Sequence, residues 1–246
     1  MRAVVDFVEA AFRAAGIILA PSWRASQIDE ECHMRRLLGF LDIDCVFDVG
    51  ANVGQHAEKL RRFCGYDGLI LSFEPNPACL PELNSAASKD PKWEVIPLAL
   101  GKEQGSVEFR AYEDSKLGSI LKFDERSKHA PTSMSASTIN VGMETLSDLF
   151  PKLKEKYGFE RPFLKLDTQG FDLQVAIGAG AYLEKFLGIQ SEVAFSPIYQ
   201  GAPTFSEAVA YYEAKGFRLS RLFPNNNTHF PLLVEMDVAM IRADLA

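Results

Sequence analysis

"FDVGANVGQ", residues 47–55, decides how this chain is read. The run before it, Cys45-Val46-Phe47, is apolar without alternation, as in a strand covered on both faces of a parallel sheet. Asp48 marks the carboxyl end of that strand, and Gly50 and Gly54 follow it closely. In an open α/β sheet the turn after the first strand is where backbone comes close to a ligand, and glycine permits both the turn and the approach.

Upstream, Val4, Val5, Phe7, Val8, Ala11, Phe12 and Ala15 keep helical spacing up to a stop at Pro21. A second helix is expected over residues 27–39, carrying Met34, Leu37 and Leu38 and closed by Gly39. Downstream the pattern alternates: strand 44–49, helix 55–63, strand 68–74, helix 77–88, strand 93–98. That is the βαβαβ order of a doubly wound parallel sheet. Residues 113–140, rich in Ser, Lys and Asp, read as a long surface loop. After it come a helix over 144–156, a strand in "RPFLKLD", a helix in "FDLQVAIGAG", a strand in "LGIQSEVAFSPIY" and a helix over 204–215. Two last strands, 217–223 and 232–241, flank "PNNNTHFP", whose Pro and Asn residues suit a turn. The expectation is one α/β domain over 1–246, with a helical extension at 1–40 and a Rossmann-like core at 41–246 carrying the loop insertion.

Composition narrows the classes of function. With 47% hydrophobic and 24% charged residues the chain resembles an ordinary soluble protein, and no stretch is long and apolar enough for a membrane span. Asp6, Glu9 and Arg13 interrupt the start and argue against a signal peptide. A formal net charge of -7 argues against nucleic acid as a partner. Cys32, Cys45, Cys64 and Cys79 form no C-x-x-C pair and read as reduced core thiols of a cytoplasmic protein.

Two cofactor classes fit the glycine loop, a dinucleotide and S-adenosylmethionine. The fingerprint G-x-G-x-x-G would need glycines at 50, 52 and 55, where the chain has Gly50, Asn52 and Gln55. No G-x-x-x-x-G-K-[ST] loop is present, which disfavours a nucleoside triphosphatase. Glu74, in "SFEPNP", ends the second strand, where a carboxylate can accept hydrogen bonds from both ribose hydroxyls of either cofactor.

D-x-G-A-N-x-G followed by F-E-P-N-P, "KLDTQGFDL" and "SEVAFSPIY" resembles the FkbM family of class I methyltransferases over roughly residues 35–242. The resemblance implies S-adenosylmethionine as cofactor and a sheet of order 3-2-1-4-5-7-6 whose last strand is antiparallel. By the same likeness Gly50, Ala51, Asn52 and Gly54 line the methionine half of the cofactor, and Asp48 helps hold its ammonium group directly or through water. Glu74 would bind the ribose with Pro75 and Asn76 beside it, and Leu98, Ala99 and Leu100 would flank the adenine. Ser119, in the segment "DSKLGSIL", would belong to a loop closing over cofactor or acceptor. Asp167 would face the methyl group and the substrate. Where the family often shows D-x-E-G-x-E, this chain has Asp167, Thr168, Gln169, Gly170, Phe171, Asp172, and Gln169 removes a charge.

Holding nucleophile and methyl in line can supply much of the catalysis of methyl transfer, but a hydroxyl is a poor nucleophile and gains from a base within reach. Asp167, Glu192 and His229 are the candidate bases. His56 opens the first core helix and is assigned a packing or helix-end role. Scattered carboxylates such as Asp167, Asp172 and Glu192 do not define a metal site, and none is assigned. Phe195, Tyr199, Phe205 and Phe223 are read as core or as a sugar-stacking wall. The expected activity is O-methylation of a hydroxyl, most simply of a sugar in a glycan, glycolipid or secondary metabolite. A nicotinamide-dependent oxidoreductase and a non-catalytic adenosine-binding module stand as alternatives, and homo-oligomerisation is left open.

Overall fold

A computed structural model describes residues 12, 24–130, 135–224 and 231–245. Apart from Phe12, which is helical, the expected helix around Val4–Ala15 lies outside the described residues, as does most of the turn "PNNNTHFP" with His229. Ten strands occur among those described: β1 Cys45–Val49, β2 Leu69–Phe73, β3 Trp93–Ile96, β4 Ala99–Leu100, β5 Gly105–Tyr112, β6 Ala136–Glu144, β7 Pro162–Leu166, β8 Gly188–Ala194, β9 Phe217–Pro224 and β10 Glu235–Arg242. Seven of them form one sheet in the order β3-β2-β1-β7-β8-β10-β9, and β4-β6-β5 form a second. Passing over the small sheet, the large one has the expected order 3-2-1-4-5-7-6. Its last strand, β10, runs antiparallel to both β8 and β9.

Side chains alternate along each strand, so the large sheet has two distinct faces. One face carries Cys45, Phe47, Leu71, Phe73, Leu164, Leu166, Ile189, Val193, Val238 and Met240 into the larger core cluster. Helices α4 Leu146–Tyr157, α5 Asp172–Gly178 and α6 Phe205–Ala214 cover it. The opposite face carries Val46, Ile70, Phe163 and Ala239 into a second cluster. Met34, Leu37 and Leu38 of α1 Ala25–Phe40 close that side together with α2 Gln55–Lys59 and α3 Leu80–Ala87. Helix α1 runs through Gly39 instead of ending there, and α2 passes into a π turn over Leu60–Cys64.

The expected surface loop over 113–140 is corrected. Its end enters β6, which pairs antiparallel with β5 from Tyr112↔Ala136 to Gly105↔Met143. Val107, Phe109 and Ala111 alternate with polar residues, as do Ile139, Val141 and Met143, and together they make a small core of their own. Reading the segment by its Ser, Lys and Asp content hides that two-residue period. Strand β8 ends at Ala194 rather than near Tyr199, three residues short of Pro197, which has no N–H for a ladder. Three cysteines are buried and all are free, but Cys32 is exposed rather than a core thiol.

Candidate active site

The glycine loop adopts the conformation its residues permit. Gly50 and Gly54 have φ of 76° and 97°, and Asn52 takes φ 51°, a left-handed region asparagine tolerates. A Cβ at position 50 would lie 1.9 Å from the backbone oxygen of Asp167, so the loop is pressed against the end of β7. A Cβ at position 54 would instead meet the Trp93 ring at 2.8 Å. Gly54 therefore serves helix–strand packing and does not line the cavity.

That cavity, of about 660 Å³, opens beyond the carboxyl ends of β1, β2, β7 and β8. The volume is that of a small-molecule site. At one end it is lined by Gly50, Ala51, Asn52, Glu74, Pro75, Leu98, Ala99 and Leu100, the expected cofactor residues. Glu74 is held by its own loop: Oε2 accepts from the Asn52 N–H at 2.7 Å and Oε1 from the Asn76 N–H at 2.7 Å. Burial raises its affinity for a proton, and these two hydrogen bonds oppose that shift. Asn76 is spent on this support and on capping Ala78, and does not line the cavity.

Ser119 does not line the cavity either. It is buried, donating to the Gln169 carbonyl at 2.9 Å and accepting from the Leu121 N–H at 3.0 Å. The loop reaches the site through Ser115, whose hydroxyl donates to Asn52 Oδ1 at 3.0 Å, and through Lys116, Gly118 and Ile120.

Asp48 is fully buried and lies behind the wall. It stands in a polar row that crosses the sheet at one level, strand by strand: Ser72, Asp48, Lys165 and Gln190 are successive register partners on the face toward α1. Trp93 Nε1 donates to Ser72 Oγ at 2.9 Å, Ser72 Oγ donates to Asp48 Oδ2 at 3.3 Å, and Lys165 Nζ lies 3.0 Å from Asp48 Oδ1. Burial works against the Lys165 charge, yet Asp48 and Asp167, the latter at 3.7 Å, outweigh it and hold the ammonium protonated. Any effect of Asp48 on the cavity therefore passes through Lys165, a residue the sequence reading did not select.

Asp167 and Glu192 come together around Gln169. The Gln169 amide donates to Asp167 Oδ1 and to Glu192 Oε2, each at 3.0 Å. Its own oxygen accepts from Tyr199 O–H at 3.0 Å, which fixes which way the amide points. Glu192 is driven toward its neutral form by burial first and then by Asp167, Glu235 and Asp237. Asp172 is a buried strap rather than a ligand-facing acid: it accepts from Thr168 N–H at 2.7 Å, Glu192 N–H at 3.0 Å and Ser191 O–H at 3.1 Å.

Of the aromatic residues proposed as a wall, only Phe223 lines the cavity. Tyr199 is buried, and Phe195 and Phe205 stack on each other away from it with ring centres 4.8 Å apart. His56 does line it; burial, then Lys59 and Lys165, keep its ring neutral, and Nε2 has no partner among the described residues.

This sheet is that of the class I methyltransferases. The family model described as Methyltransferase FkbM domain matches residues 48–219, and the chain belongs to the FkbM methyltransferase family. Among solved structures, an FkbM methyltransferase from Methylobacillus flagellatus KT is 13% identical with a TM-score of 0.52 over 81% of this chain and 44% of its own. This chain thus spans less than half the length of that structure. Magnesium protoporphyrin IX methyltransferase from Synechocystis PCC 6803 is 11% identical over 96% of this chain and 95% of its own, with a TM-score of 0.47. No match was found among curated protein sequences. No described helix is long and apolar enough to cross a membrane.

Proposed function

We propose that this methyltransferase uses S-adenosylmethionine to methylate a hydroxyl, that of a sugar in a glycan, glycolipid or secondary metabolite. The observation that carries the reading is the contact of Gly50 with Asp167, which sets a carboxylate at the seam between the glycine loop and the polar end of one cavity. The residues present suit the cofactor. Glu74 keeps lone pairs for the ribose hydroxyls, Leu98, Ala99 and Leu100 offer an apolar wall to the adenine, and Gly50 to Asn52 leave backbone bare for the methionine half. When bound, S-adenosylmethionine supplies a methyl group activated on a sulfonium sulfur.

The chain's own part is positioning and proton transfer. Asp167, oriented by the Gln169 amide, holds the acceptor hydroxyl and takes its proton as the new C–O bond forms and the C–S bond breaks. Lys165, anchored by Asp48, stabilises the Asp167 carboxylate before that proton arrives.

Calorimetric titration with S-adenosylhomocysteine, with NAD as the control, tests the cofactor. Saturable binding of the first alone is expected, and Glu74→Ala should weaken it at least about tenfold, the scale of a lost charge-assisted hydrogen bond. Binding of NAD alone would overturn the reading, and unchanged affinity in Glu74→Ala would remove the ribose assignment. Transfer of a labelled methyl group separates an enzyme from a binding module.

A further inference from the structure

At the acceptor end of the cavity Glu192 belongs to the stretch "SEVAFSPIY", whereas Gln190 and Asp237 lie outside the stretches that carry the family resemblance. Gln190 and Glu192 point to the same face of β8, and Asp237 of β10 stands directly opposite Glu192 in the antiparallel register. Like charges in that relation destabilise a sheet. Across the gap, α1 and α2 contribute Glu30, Lys59 and His56.

Two cations of this wall, Lys165 and Lys59, have other acids as their nearest partners. Lys165 serves Asp48 and Asp167, Lys59 lies 2.6 Å from Glu30, and Arg24 lies 2.6 Å from Glu31. The Arg62 guanidinium lies over the Phe63 ring at 4.9 Å. The Asp237 side chain has neither a hydrogen bond nor an ion pair among the described residues, although Lys59 and Lys165 both act on its charge. Gln190 gives the second, independent sign. It is 2% exposed, and its Nε2 donates to Glu30 Oε1 at 2.8 Å, so that its Oε1 is left buried at the cavity wall without a donor. A buried carbonyl oxygen without a donor is costly, and one that lines a cavity is free to accept from the N–H or O–H of a water or a ligand that enters it.

We infer that the methyl acceptor is a basic amino alcohol of the amino-sugar class, its ammonium group seated among Asp237, Glu192 and the Gln190 amide oxygen while a neighbouring hydroxyl meets Asp167. This rests on the methyltransferase reading and adds the acceptor chemistry to it. An ammonium brings three donors and one positive charge, matching the acceptor oxygens and the excess acid that meet there. The spacing suits adjacent carbons, because Asp167 and Glu192 share one amide nitrogen, each 3.0 Å from it, and their bound oxygens stand no farther apart than twice that distance. The neutral His56 ring is left for a further hydroxyl of the same molecule. Burial, followed by Glu30 and Asp167, raises the proton affinity of Asp237, so a cation arriving beside it expels a proton.

The test uses the full chain saturated with S-adenosylhomocysteine and titrated with matched pairs: glucosamine against glucose, and trans-2-aminocyclohexanol against trans-1,2-cyclohexanediol. The amine of a pair is expected to bind about tenfold tighter than its hydroxyl twin and to release protons, seen as a binding heat that changes with the buffer's ionisation enthalpy. Asp237→Asn, which keeps the shape and removes the charge, should erase that advantage while S-adenosylhomocysteine affinity stays intact and the protein still melts in one cooperative transition. Equal binding of the twins, an advantage that survives Asp237→Asn, or no binding by either amine overturns the inference and leaves the methyltransferase reading in place. Failure of S-adenosylhomocysteine itself to bind overturns both.

Discussion

Asp167 has one oxygen on the Gln169 amide and the other 3.7 Å from Lys165, so its direction is set from two sides while its side chain stays 41% exposed to the cavity. That combination of fixed aim and open face is what a general base needs. Asp167→Asn keeps the hydrogen-bonding shape but cannot take a proton. It is expected to lower the methyl-transfer rate by about 10²- to 10⁴-fold while leaving S-adenosylhomocysteine affinity within about twofold, checked by labelled methyl transfer beside calorimetry. Full activity in that variant would remove Asp167 from the proton path. Gln169 explains why the two acids can stand so close: a neutral amide donates to both, whereas a glutamate there would add a third carboxylate with no hydrogen to give.

Between elements, the wall proposed for the cofactor depends on a contact outside the motifs. Gly178 ends α5, and a Cβ there would lie 1.9 Å from the Gly101 carbonyl oxygen and 3.0 Å from the Lys102 Cα. Both are backbone atoms, immediately after β4, whose Ala99 and Leu100 line the cavity. Gly178→Ala must push that segment away. A loss of about 1–3 kcal/mol in urea unfolding is expected, together with weaker S-adenosylhomocysteine binding as the wall shifts. Wild-type values of both would show that the contact is slack. The small sheet acts at the same scale. Its Phe109 lines the cavity, and Ser119, bridged to Arg110 of β5, pins the adjoining loop to Gln169, so the segment that reads as loose surface is part of the site.

For the molecule as a whole, the buried acids make stability depend on pH in an unusual direction. Burial is the first cause in each case: it pushes Asp172 up to about 6, Glu235 up to about 7 and Asp237 up to about 8. An acid with a raised folded-state pKa binds more protons folded than unfolded, so its contribution is complete below the ordinary carboxylate range near 4 and is lost as pH rises through the folded value. The melting temperature should therefore fall from pH 5 to pH 8, and Asp237→Asn should flatten the upper part of that fall. A melting temperature that rises across this interval would refute the charge assignment.

How much was legible follows from which physical signals are local. The βαβαβ alternation, the glycine loop and the strand-end Glu74 were readable because strand burial, left-handed turns and strand-end carboxylates leave their mark within a few neighbouring residues. These determined the sheet, its order through the family likeness, and several of the residues that line one end of the cavity. Asp48 and Lys165 each appear in the sequence as one polar residue in an apolar strand, and Gln190 and Asp237 as polar residues beside others in theirs, a sign that something is satisfied there but not by what. Only the tertiary structure decided that the first three share one level across parallel strands, that Asp237 faces Glu192, and that α1 brings Glu30 against Gln190. Residues as far apart as 30 and 190 meet only after the chain folds, because the pairing and burial that join them are made between strands and helices and not along the sequence.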